Sequence, residues 1–266
     1  MRGLRTIIAV CLVTVSLSAQ RGSAPAATAA RRPTRAAVAG SWESYNGDVL
    51  GRRFSPLTQI NKTNIKDLKL QFMVGIDGIT GTAGTTNLQG TPLVEDGFMY
   101  ITDGWNNGYK VDVRSGNAGY IVWKWNSDMD RAYAAASGCC QRKNRGNAMI
   151  ENLIIQSTQD GRMVALDKDS GQVVWQVKTA DNELMESHTG APLVFKNFAL
   201  NGVTGAEMGI RGHIDAVDIR TGNIAWTTYT IPAKGEPGNE TWADPYNAWM
   251  TGGGSDRKST RLNSSH

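Results

Sequence analysis

Between about Ser41 and Ser255 apolar and polar residues alternate in short runs broken by Gly-containing turns, and no amphipathic helical period is sustained there. A period of two over four to eight residues predicts β-strands with unlike faces. Asn152–Ser157 and Arg162–Ala165 flank Asp160-Gly161, a dipeptide suited to a tight hairpin because both positions tolerate positive φ. Pro92–Ile101 repeats the pattern around Asp96-Gly97, and Ala191–Val194 opens a further strand. The chain predicts strand, turn and strand again, with almost no helix.

These strands recur in register with a second pattern. Ala165–Trp175 and Ala216–Trp226 share the template A-x-D-x-x-[ST]-G-x-x-x-W, with their aspartates Asp167 and Asp218 51 residues apart. A looser copy, Asp112–Gly116, precedes them, its Trp123 three residues later than the template places it. The aspartate can accept from backbone N–H groups two residues on, the glycine supplies the positive φ, and the Ser or Thr adds a local hydrogen bond. The tryptophan on the following strand is large and flat enough to cover the gap to a neighbouring sheet. A repeat of roughly 50 residues built this way predicts a β-propeller, in which one small sheet per repeat buries its faces only against its neighbours. At that length 41–255 amounts to about four blades, too few to close a ring, so the fragment is expected to expose an open blade edge and to be a poor monomer.

The ends read differently. Arg2, Arg5 and the apolar run Ile7–Leu17 resemble an export signal ending near residue 19, too short for a span of about 20 apolar residues. Residues 20–40, rich in Ala, Arg, Pro, Thr and Ser, read as a disordered spacer. Asp256–His266 has no apolar period and reads as translated sequencing-adapter sequence, outside the fold. The net charge of +4 falls to zero once Arg2, Arg5, Asp256, Arg257, Lys258 and Arg261 are set aside, so no basic surface argues for nucleic acid. Export predicts a periplasmic location. Cys11 would leave with the signal, and Cys139 and Cys140 would remain in a compartment that permits disulfides.

Three motifs carry chemistry. Ser137–Gly146 contains the adjacent Cys139-Cys140, followed by Arg145-Gly146. Adjacent cysteines seldom pair, because a trans peptide holds their Cα atoms closer than a relaxed disulfide favours; two reduced cysteines, or half of a zinc site with His188 or His213, are alternatives. Gly202–Gly212 places Glu207 among glycines, and Thr189 lies in Thr-Gly-Ala-Pro-Leu-Val just upstream. Leu88–Val94 carries Gln89. Together with Ser41–Leu68, Thr241-Trp242 and Ala248–Gly254, these motifs, in this order, resemble the PQQ-dependent (quinoprotein) alcohol dehydrogenases, and the tryptophan template resembles the docking repeat of their propellers.

The resemblance implies an all-β fold, the N-terminal part of an eight-bladed propeller. It further implies a disulfide between Cys139 and Cys140 lying against PQQ, Arg145 on a PQQ carboxylate, and Thr189, Thr204, Gly205 and Ala206 as further cofactor contacts. Glu207 would be the first protein ligand of a Ca²⁺ or lanthanide ion, hard cations that prefer oxygen donors. Gln89 stands where many relatives have a glutamate; its amide can still bond a PQQ carboxylate. The implied activity is oxidation of a small alcohol by hydride transfer to metal-activated PQQ, with electrons passed to a cytochrome c. The catalytic aspartate would lie beyond Ser255, so the fragment is expected to be inactive. Trp105, Trp123 and Trp125 are assigned to blade packing. The alternative is a non-catalytic envelope-assembly scaffold, which shares the tryptophan template but has no use for the cysteine pair or Glu207.

Overall fold

A computed structural model describes residues 40–48, 50–76, 87–130, 142–241 and 246–255. Strand β1 (Asn87–Thr91) leads into a four-stranded antiparallel sheet of β2 (Leu93–Glu95), β3 (Phe98–Thr102), β4 (Gly108–Asp112) and β5 (Tyr120–Trp125). Strand β6 (Lys143–Gly146) leads into a second sheet of β7 (Ala148–Ile150), β8 (Leu153–Ser157), β9 (Arg162–Asp167) and β10 (Val173–Lys178). The third sheet holds β11 (Leu193–Phe195), β12 (Phe198–Gly202), β13 (His213–Asp218) and β14 (Ile224–Tyr229). Each sheet is a meander in sequence order, and β1 pairs with β6 in parallel, bridging the first two blades. The hairpin at Asp96-Gly97 has both residues at positive φ, as the dipeptide predicts.

The described residues form three complete blades, not about four. The expected length per blade holds, but residues 50–76 contain only a 3-10 turn at Ile65–Asp67, and the described residues after β14 add only two 3-10 turns, Asn239–Thr241 and Ala248–Met250. Near the N-terminus, Trp42 makes an isolated bridge to Val94.

The core consists of the layers between blades. Ile154, Val164 and Leu166 pack with Leu93, Tyr100 and Trp123 of the first blade, while Ile155, Met163 and Ala165 pack with Ala199, Val217 and Ile219 of the third. Successive residues of β8 and β9 therefore face opposite neighbours, which explains why Met163–Leu166 is apolar without interruption.

The tryptophan template locks these layers. Asp167 accepts hydrogen bonds from the Asp169 and Ser170 N–H groups at 3.1 and 2.7 Å and from the Ser170 hydroxyl at 2.7 Å. Asp218 repeats the arrangement with Arg220 at 2.9 Å and with both groups of Thr221. Trp123 donates from Nε1 to the Lys168 carbonyl at 3.1 Å, and Trp175 donates to the Ile219 carbonyl at 2.8 Å. Each indole thus docks on the turn of the next blade, bonded to the residue after the template aspartate. The three extra residues before Trp123 are accommodated ahead of β5 without altering that contact. Trp226, which meets no such turn among the described residues, is 43% exposed, against 9% and 8% for the other two.

Candidate functional site

The segments that lead into the three sheets lie side by side, β1 pairing with β6 and β6 bonding the loop before β11. Leu88 pairs with Asn144 and Thr91 with Gly146, with an irregularity between them, so Gln89 and Arg145 stand on neighbouring strands at one level. Gln89 is exposed and Arg145 is buried. The Arg145 N–H donates to the Thr189 carbonyl at 3.1 Å, and its guanidinium Nη1 donates to the Thr189 hydroxyl. Arg145 Nε is buried with no hydrogen-bond partner among the described residues. A guanidinium carries five N–H donors and cannot lose its charge, so a buried and only partly used one calls for an acceptor, above all a carboxylate.

The third segment lies beside Thr189. Ser187 and Thr204 exchange backbone hydrogen bonds at 3.2 and 2.9 Å, which brings Val203–Glu207 against the Thr189 loop. Gly205 has φ +125°, and a Cβ there would stand 2.8 Å from the Met185 carbonyl, so only glycine fits. A 3-10 turn, Ala206–Met208, follows and presents Glu207 to solvent. Residues 252–255 run alongside, Ser255 donating its N–H to the Val203 carbonyl at 2.9 Å and Gly252 bonding Ile210.

The structure therefore sets Arg145 against Thr189, Gln89 on the strand beside Arg145, and the Thr204–Glu207 segment beside the Thr189 loop, and these three segments form the rim. Cys139 and Cys140 lie outside the described residues. Arg145 suits an anionic, carboxylate-bearing ligand. Metal chemistry is less complete: among the described residues no group of three or more His, Cys, Asp or Glu is placed to hold an ion. Glu207 is a single carboxylate, and the described residues alone do not build a metal site.

Two polar groups were not read from the sequence. A buried belt runs behind the rim: Asn144 Nδ2 donates to the Ser157 carbonyl at 2.7 Å, Asn201 Nδ2 to the Ser157 hydroxyl at 2.6 Å, and Ser187 to the Gln159 carbonyl at 2.7 Å. Its signal was visible as the polar end of β8, Gln156-Ser157, and the Thr158-Gln159 that follows, immediately after an apolar run. Farther out, His213 Nε2 lies 3.1 Å from Asp215 and Nδ1 lies 3.7 Å from Glu186, all three buried. Burial pushes the imidazolium pKa down, but the hydrogen bond and charge of Asp215 and the charge of Glu186 reverse this and raise it to about 9. Trp105 packs with Met129 under the Arg142 guanidinium, 4.2 Å from the ring centre, a contact within the first blade and its loop.

The family described as "PQQ: Glucose/ethanol/alcohol dehydrogenase, beta-propeller domain" matches residues 42–256. Among curated relatives, the quinohemoprotein alcohol dehydrogenase of Comamonas testosteroni is 33% identical over 93% of the chain, and the lanthanide-dependent methanol dehydrogenase of Methylacidiphilum fumariolicum (strain SolV) is 34% identical over 81%. The chain covers 36% and 37% of their lengths, so it spans about a third of these relatives. Among solved structures, a europium-containing methanol dehydrogenase superposes with a TM-score of 0.66 at 34% identity, covering 75% of this chain and 33% of that one.

Proposed function

We propose that this chain, which belongs to the PQQ-dependent alcohol dehydrogenase β-propeller family, carries the first part of a cofactor cradle for alcohol oxidation. The observation that carries the reading is Arg145: a buried guanidinium fastened to Thr189, with Nε unused, on the strand beside Gln89. Arg145 would grip a carboxylate of PQQ through paired charge-assisted hydrogen bonds. Thr189 holds the guanidinium plane and so sets the angle of that grip. The exposed amide of Gln89 can donate to a second carboxylate without adding negative charge. Thr204 and the backbone at Gly205 and Ala206 would supply close polar contacts, the turn being held at Gly205 by a φ of +125° that glycine adopts readily.

PQQ, when bound, supplies the hydride-accepting quinone. The protein's part here is to bind and orient it. Glu207 is the residue offered to a Ca²⁺ or lanthanide ion, hard cations that prefer oxygen donors. The substrate is a small alcohol, the electron acceptor is a cytochrome c, and the setting is the periplasm after loss of residues 1–19. The resemblance implies that Cys139 and Cys140, outside the described residues, would pair as a disulfide against the cofactor.

The test is dye-linked oxidation of short primary alcohols by the longest natural reading frame that contains this chain, with and without added PQQ. PQQ-dependent dye reduction supports the proposal. An intact, folded product that binds no PQQ and reduces no dye would favour the scaffold reading.

A further inference from the structure

His188 takes no part in the cradle as described, yet it is fully buried between two of its segments. It immediately precedes Thr189, whose hydroxyl holds Arg145. Nδ1 lies 3.0 Å from the carbonyl of Gly202, an atom that can only accept, so Nδ1 carries a proton and donates. Nε2 shares a hydrogen bond of 2.8 Å with the hydroxyl of Thr179, which follows β10 of the second blade. Gly202 ends β12 and is two residues before Thr204. One imidazole therefore joins the end of the second blade, the Thr189 loop and the start of the Thr204–Glu207 turn.

We propose that His188 is a positioning residue that fixes the distance between the Arg145–Thr189 pair and the Thr204–Glu207 turn, and so sets affinity for a carboxylate-bearing quinone. The inference rests on the cradle reading above. Backbone hydrogen bonds between Ser187 and Thr204 already draw the two segments together. The imidazole adds a rigid planar brace one residue nearer Thr189, and its second nitrogen ties that brace to a different blade. An apolar side chain of similar size would fill the space and leave the two segments free to shift by a fraction of an ångström, enough to misalign hydrogen bonds that are strongly directional.

The experiment compares His188→Leu, His188→Asn and Arg145→Ala in the full chain, by amide hydrogen exchange and by PQQ titration followed through tryptophan fluorescence. Asparagine can place an N–H donor close to Nδ1 and so retain the bond to Gly202 while losing the one to Thr179. The expected result for His188→Leu is exchange faster by about tenfold at the Arg145, Ser187 and Thr204 amides, with Ile155 and Ala165 in the blade core unchanged. PQQ affinity should fall by about tenfold in the same variant and recover most of the way in His188→Asn. Unchanged exchange at the three rim amides would overturn the inference, as would equal acceleration throughout the core, which marks a merely structural residue. If Arg145→Ala weakens PQQ binding and His188→Leu does not, His188 alone is dismissed. If Arg145→Ala has no effect, or the unsubstituted chain takes up no PQQ, the cradle reading fails and takes the inference with it.

Discussion

Three template glycines share one backbone conformation and differ in what covers them, which allows the tryptophan lock to be measured. Gly116, Gly171 and Gly222 all have φ +73°. A Cβ at Gly116 would meet nothing within 4 Å, whereas at Gly171 it would stand 2.6 Å from Trp123 Cδ2 and at Gly222 2.8 Å from Trp175 Cγ. Alanine at any of the three loses about 1–2 kcal/mol to the left-handed backbone. At 171 and 222 it must also displace an indole clamped between blades, adding about 1–3 kcal/mol of overpacking. Gly116→Ala should therefore cost about 1–2 kcal/mol, and Gly171→Ala or Gly222→Ala about 2–5. Urea unfolding followed by tryptophan fluorescence, at one fixed protein concentration because an open blade edge can self-associate, reads the difference. With a slope near 2 kcal/mol/M, the docked-site variants should unfold about 0.5–1.5 M earlier than Gly116→Ala. Adding Trp123→Leu to Gly171→Ala should remove the excess, since the two residues are in contact. Equal costs at 116 and 171 would refute the lock.

Other consequences are as direct. His213 is raised to about 9 from its ordinary value near 6.5, so its contribution is complete below about pH 6.5 and is lost as pH rises through 9. Allowing for solvent screening it is on the order of 1–2 kcal/mol; the urea midpoint should drop between pH 7 and 10, and His213→Gln should flatten that drop. Trp175→Ala should cost about 3–5 kcal/mol, while Trp226→Ala, at a half-exposed indole, should cost less than about 1 kcal/mol; similar losses would mean that Trp226 is docked. Under denaturing, non-reducing conditions a thiol reagent should titrate Cys11 at most, and two further thiols would remove the proposed Cys139-Cys140 disulfide.

Much of the fold was legible because it is local. The Asp-x-x-[ST]-Gly turn is specified by side chains that bond their own backbone, and the docking tryptophan follows at a short, nearly constant spacing. Blade count was less legible, since 50–76 has apolar residues at strand-like positions yet finds no partner strand among the described residues. The rim residues could be named only through resemblance to known enzymes. Nothing in the spacing of Arg145 and Thr189 states that they touch, because their contact spans two blades. His188 and the His213–Glu186 contact were invisible for a related reason, since each spans a blade boundary or a loop, whereas His213 and Asp215 share one face of β13 and their His-x-Asp spacing was a signal left unread.

The central claim is that Arg145 is the cation of a PQQ-binding rim, and a PQQ titration of the chain against its Arg145→Ala and Arg145→Lys variants tests it most directly. Loss of a charge-assisted contact predicts affinity lower by about tenfold or more for alanine. Lysine should recover only part of it, because it keeps the charge but not the planar pair of donors. Equal PQQ affinity in all three proteins would contradict the account.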